Sequence, residues 1–171
     1  KTTDGGTSFG NVNNSGSAGD WYAVDFVDSQ TGYVVGGQEE GLILKTVDAG
    51  SNWSSQTIGS KAFLSVFFIN NTTGWAVGNG GTIVKTVDAG SNWYSQTTGT
   101  SQNLHSVYFI DANIGWASGS NGRVLRTING GSNWYGDSNE KTGTQTVNDV
   151  NFIDNDTGYA VSATIFKSID G

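Results

Sequence analysis

Few side chains in this sequence are of the types that do chemistry, and their spacing brings little together. His105 is the only histidine and cysteine is absent. A nucleophilic relay or a histidine-based metal site needs a second member, so His105 reads as a surface or packing residue. The missing cysteine excludes disulfides, thiol catalysis and Cys–metal sites together. Asp154-Asn155-Asp156-Thr157-Gly158 has the spacing that opens a calcium loop, yet the position needing a bidentate Glu holds Ile165. A plain Asx turn is the expectation there, with calcium as the one cofactor left open and no metal-ligand set. The runs Gly78-Asn79-Gly80-Gly81 and Gly119-Ser120-Asn121-Gly122 lie between strands and not before a helix, so they are not phosphate cradles. No catalytic residue is assigned.

The elements that hold these residues follow from composition. The chain has 171 residues and a formal net charge of −7, with 8 Lys+Arg against 15 Asp+Glu. That acid excess argues against nucleic acid and anionic membranes as partners. No apolar run has the length of a membrane span. Val and Ile together outnumber Leu five to one, Thr and aromatics are abundant, and Pro is absent. This is strand chemistry, with Gly, Asn, Ser and Asp left for turns. Met is absent even at position 1. The chain is therefore expected to be processed, excised or part of something longer.

An internal repeat organises the whole sequence. Asp48-Ala49-Gly50-Ser51-Asn52-Trp53 returns as Asp88-Ala89-Gly90-Ser91-Asn92-Trp93 and as Asn129-Gly130-Gly131-Ser132-Asn133-Trp134. A looser copy starts at Asp4 and a cut copy is Asp170-Gly171, with successive spacings of 44, 40, 41 and 41. Val24-Asp25-Phe26, Val66-Phe67-Phe68, Val107-Tyr108-Phe109 and Val150-Asn151-Phe152 keep the same beat. So do Gly32-Tyr33, Gly74-Trp75, Gly115-Trp116 and Gly158-Tyr159. Each period parses into four short strands, which is the arithmetic of a propeller blade. The sequence predicts an all-β protein, a single β-propeller domain over 1–171. Its four-stranded blades of about 41 residues fall near 20–60, 61–101, 102–145 and 146–171. An N-terminal strand over 5–13 would complete the last blade if the ring closes. Otherwise the four blades belong to a larger or multi-chain propeller.

The Thr-x-Asp-x-Gly-x-Asn-Trp pattern resembles the Asp-box, or bacterial neuraminidase repeat. With the Val-x-Phe and Gly-Tyr/Trp signatures it is similar, more narrowly, to the repeats of photosystem II stability/assembly factor-like proteins. The sequence departs from the pattern at Asn129 for Asp, at Phe9 for Trp, and at Asn52, Asn92 and Asn133 for the usual Thr. Asp4, Asp48, Asp88, Asn129 and Asp170 are expected to accept backbone N–H bonds one to three residues on. Gly50, Gly90 and Gly131 should supply positive φ, and Trp53, Trp93 and Trp134 should bury a ring beside the turn. The resemblance also raises a sialidase reading. Arg123 and Arg126 are the only arginines, so the arginine triad of such enzymes cannot be built.

Where the blades agree the residue serves the frame, so function is sought where they differ. Tyr94, Tyr108 and Tyr135 are the expected ligand-contact aromatics, for a protein or a glycan. The leading expectation is a non-enzymatic binding or scaffold module, secreted or at the cell surface. It would recognise a protein or carbohydrate, or build an extracellular assembly by self-association through unpaired blade edges. Two alternatives stand beside it. One is a chaperone like the photosystem assembly factor, in the periplasm or thylakoid lumen. The other is a non-catalytic fragment of an Asp-box glycoside hydrolase.

Overall fold

The computed structural model describes residues 1–11, 19–137 and 143–169. Its strands form four antiparallel sheets, each meandering in chain order. The first comprises β1 (Trp21–Phe26), β2 (Gly32–Gly36), β3 (Leu42–Thr46) and β4 (Ser54–Thr57). The second comprises β5 (Phe63–Phe68), β6 (Gly74–Gly78), β7 (Ile83–Thr86) and β8 (Tyr94–Ser95). The third comprises β9 (Leu104–Phe109), β10 (Gly115–Gly119), β11 (Val124–Thr127) and β12 (Tyr135–Asp137). The fourth has three strands among the described residues: β13 (Asp149–Phe152), β14 (Gly158–Val161) and β15 (Ile165–Ser168). The described residues thus form four blades of an all-β propeller.

The strand expected over 5–13 is not seen among residues 5–11, and 12–13 lie outside the described residues. Residues 1–11 close on themselves instead. The N–H of Gly10 donates to the Lys1 carbonyl at 3.0 Å, and the Lys1 ammonium donates to the Gly10 carbonyl at 3.0 Å. The Asp4 turn is satisfied locally: Ser8 N–H and the Thr2 hydroxyl both donate to Asp4 Oδ1. Phe9, standing where the other blades carry Trp, is exposed.

The blades are joined by their first strands. β1 packs on β5, β5 on β9, and β9 on β13, and no comparable packing joins β13 to β1 among the described residues. The core lies in the seams. Tyr33, Val35 and Ile43 of the first blade pack with Phe63, Val66, Phe68 and Val84 of the second. Trp75, Val77 and Ile83 repeat this against Leu104, Val107 and Phe109. Trp116 does so against Val150 and Phe152.

At each seam an aromatic ring of one blade's second strand lies flat on the phenylalanine of the next blade's first strand. The centroid distances are 3.8 Å for Tyr33–Phe68, 3.5 Å for Trp75–Phe109 and 3.6 Å for Trp116–Phe152, with interplanar angles of 12°, 10° and 3°. The Asp-box tryptophan of the same blade meets that phenylalanine edge-on, as in Phe68–Trp93 and Phe109–Trp134. Both arrangements add to the area the rings bury.

The glycine that opens each second strand makes room for this phenylalanine. A Cβ on Gly74 would sit 2.6 Å from the Phe68 ring, and one on Gly115 would sit 2.4 Å from the Phe109 ring. A Gly115→Ala substitution is expected to push Phe109 off Trp75 and cost about 1–3 kcal/mol, read from urea midpoints and tryptophan fluorescence. Gly10→Ala, where a Cβ meets nothing within 4 Å, should leave the midpoint unchanged.

Candidate binding surfaces and the turns that frame them

The Asp-box turns carry the sheets' corners. Asp48 Oδ1 accepts from Asn52 N–H at 2.8 Å and from the Thr46 hydroxyl at 2.8 Å, while Asp48 Oδ2 accepts from the Asn52 amide. Asp88 makes the same set with Asn92 and Thr86. The carboxylate thus reaches four residues on, not one to three. The nearer N–H, of Gly50 or Gly90, donates to the buried Thr46 or Thr86 hydroxyl. Asn129 replaces Asp with little change, because its Oδ1 still accepts from Asn133 N–H and Thr127. Asn at 52 and 92 supplies a side-chain donor to the acid. Gly50, Gly90 and Gly131 have φ of 76°, 76° and 92°. Trp134 is buried, and Trp53 and Trp93 are half-buried beside their turns. Asp170 lies outside the described residues.

These bonds hold the acids in their charged form. The Asn52 N–H, the Asn52 amide and the Thr46 hydroxyl lower the Asp48 carboxyl to about 2. The Asn92 amide and N–H lower Asp88, and the Ser8 hydroxyl leads the lowering of Asp4. A depressed acid stabilises the fold fully above its unfolded pKa near 4 and loses that contribution as pH falls toward the folded value.

One feature of the turns was hidden in the sequence. Ala49 and Ala89 both have φ of 57°, left-handed backbone without a glycine. At Ala89 the carbonyl accepts from the Tyr33 hydroxyl at 2.9 Å and from Lys45 Nζ at 2.7 Å, both in the preceding blade. Gly130 repeats it with Trp75 Nε1 at 3.2 Å and Lys85 Nζ at 2.9 Å. The cation also lies over its own blade's ring, 5.8 Å for Lys45 over Tyr33 and 5.1 Å for Lys85 over Trp75. Burial pushes the Tyr33 hydroxyl up to about 12 and lowers the Lys85 ammonium. The recurring cation at 45, 85, 126 and 167 was the available signal. Its partner lies 44 or 45 residues away and was not readable.

The three aromatics expected to contact ligand are not brought together. Tyr94 and Tyr135 are exposed on the outermost strands of adjacent blades, in register with Lys85 and Arg126. Tyr108 sits on an innermost strand in a seam, its ring 5.2 Å from Phe67. Positions 25, 67 and 108, which differ between blades, therefore line seams rather than an outer surface, while Asn151 of the fourth blade is exposed. Asp25 shows why. Its Oδ2 accepts from the Phe68 N–H of the next blade at 2.7 Å, and burial raises its carboxyl.

Among the described residues no group of three His, Asp or Glu side chains is placed to hold a metal. Asp154 Oδ1 accepts from Asp156 and Thr157 N–H at 2.9 and 2.6 Å, the same Asx turn that Asp28, Asn70 and Asp111 make. His105 Nε2 meets Ser120 Oγ at 3.1 Å, and burial lowers its pKa. Arg126 crosses to Asn155 of the fourth blade at 2.6 Å. At the strand-one end of the first blade, Gly19, Asp20, Gln38, Glu39, Glu40 and Leu42 line an open acidic groove. Gln38 donates to Asp20 Oδ2 across it at 3.0 Å. No helix of the described residues is long and apolar enough to cross a membrane.

Residues 12–97, half of the chain, match the model of the PSII_BNR family, described as photosynthesis system II assembly factor YCF48. No curated protein matches the sequence. Among solved structures, YCF48 from Cyanidioschyzon merolae superposes with a TM-score of 0.72 at 17% identity, over 97% of this chain and 53% of that one. A YCF48 bound to D1 peptide gives 0.68 at 22% identity, over 85% and 47%. The GH74 xyloglucanase from Xanthomonas campestris gives 0.67 at 15%, over 86% and 27%. The chain spans about half the length of the YCF48 chains it matches.

Two substitutions separate turn from seam electrostatics. Asp88→Asn copies Asn129 and should fold normally at pH 7 while losing less stability than the parent between pH 4 and 2, seen in thermal melts across pH. Asp25→Asn keeps an acceptor for Phe68 without a buried charge. It should raise the melting temperature at pH 7, and the gain should vanish at pH 3 where the parent's carboxyl is protonated.

Proposed function

Because this chain belongs to the PSII_BNR family of the assembly factor YCF48, we propose that it is a protein-binding propeller that holds a segment of a partner during assembly of a larger complex. The observation that supports this most is that a structurally similar YCF48 is bound to D1 peptide. The chemistry of the described residues agrees. The acids of the turns are engaged by backbone N–H groups, and His105 meets a serine hydroxyl.

The partner segment on this reading is basic or polar, drawn to a chain of net charge −7 and to the groove beside Glu39 and Glu40. Exposed Tyr94 and Tyr135 offer stacking area on the outer strands. No cofactor is part of the proposal. The setting proposed is outside the cytosol: extracellular, at the cell surface, or in a periplasm or lumen.

Similarity to GH74 enzymes makes xyloglucan hydrolysis the competing activity to measure. Overlapping peptides of the D1 protein, with scrambled controls, are titrated against the chain by fluorescence anisotropy, and xyloglucan is assayed for released reducing ends. Saturable binding of particular peptides, no release of reducing ends, and weakening with salt are expected. The pair Glu39→Lys and Glu40→Lys should weaken binding about threefold to tenfold. Hydrolysis without peptide binding would contradict the reading.

A further inference from the structure

The two end blades expose the two halves of the seam that is closed three times inside the molecule. Phe26 is the first blade's counterpart of Phe68, Phe109 and Phe152, all buried, yet it is 45% exposed. Val24, counterpart of the buried Val66, Val107 and Val150, is 62% exposed. At the other end Tyr159 stands where Tyr33, Trp75 and Trp116 are buried, and it is 40% exposed. Ile165, counterpart of the buried Ile43 and Ile83, is 77% exposed. In every internal seam a residue of the Tyr159 type lies flat on one of the Phe26 type.

Polar partners are matched in the same way. Tyr159 carries a hydroxyl as Tyr33 does, and it is in register with Lys167 as Tyr33 is with Lys45. Those two groups of the first blade reach the carbonyl of left-handed Ala89. Ala49, of the same conformation, presents the equivalent carbonyl on the first blade. The fourth blade's face therefore carries both donors and the first blade's face carries the acceptor.

Among the described residues of one molecule no comparable packing joins the two faces, since the packed series runs from β1 through β5 and β9 to β13. We propose that a second copy of this chain covers them. The fourth blade of each copy lies on the first blade of the other, Tyr159 stacks on Phe26, and Tyr159 and Lys167 bond the Ala49 carbonyl. Two such seams related by a two-fold axis close a ring of eight blades. This inference rests on the seam geometry and not on the peptide-binding reading.

The test is the solution mass of the 171-residue chain by light scattering after size exclusion. The expected mass is twice 17.9 kDa. Val24→Lys and Ile165→Lys, each made separately, should reduce it to a single copy, with the far-ultraviolet circular dichroism spectrum of the parent retained. These positions are exposed in the single copy, so neither change disturbs an internal seam. Should one variant fail to fold, the other tests the same seam from the opposite face. Mixing the two variants should restore pairs, because one intact half of the seam survives on each. A parent of 17.9 kDa overturns the proposal, as do assemblies larger than two copies. A dimer indifferent to both substitutions overturns it as well.

Discussion

The contact on which the rest of the structure depends is the flat stacking of one ring on another across each seam. A single four-stranded blade of this size buries almost nothing within itself, because a twisted sheet has two faces and no interior. Tyr33, Trp75 and Trp116 are fully buried only because Phe68, Phe109 and Phe152 of the following blade cover them. At the first two seams the cation over the ring and the carbonyl that receives it join the same two blades, and at the third Arg126 reaches Asn155 instead. Dispersion at the ring and charge-assisted hydrogen bonds at its rim act on the same pair of surfaces.

Much of this was legible in the sequence because each blade repeats the same solution. The Asp-box, the Val-x-Phe motif and the Gly-Tyr/Trp motif mark a turn, a first strand and a second strand, and all appear where their spacing puts them. What a period cannot show is which residue of one blade meets which residue of the next. Gly74 reads only as the opening of a second strand until a Phe68 ring is found where its Cβ would lie. Ala89 reads as filler until Lys45 and Tyr33 are found on its carbonyl. Tyr108 reads as a surface aromatic by its variability, yet variability there records seam packing against Phe67. The first sheet's Asp25 is a polar answer to the same position, bonded to Phe68 N–H.

This division of labour shapes the functional reading. Threonine, aspartate, tryptophan and lysine at fixed places in the repeat are engaged by turns and seams. What differs between blades at the outside is small: an acidic loop at Gln38–Glu40, and Tyr94 and Tyr135 on outer strands. Fold likeness to both assembly factors and GH74 enzymes shows how one frame serves unlike tasks.

The seam between neighbouring blades is the unit that stabilises this propeller, and the proposed pairing repeats it at both end faces. Hydrogen–deuterium exchange resolved by peptide tests it most directly. With both end faces covered, the strands of the first and fourth blades, β2 and β14 above all, are expected to be protected as strongly as β6 and β10. Protection that falls away from the two middle blades toward both ends would contradict it.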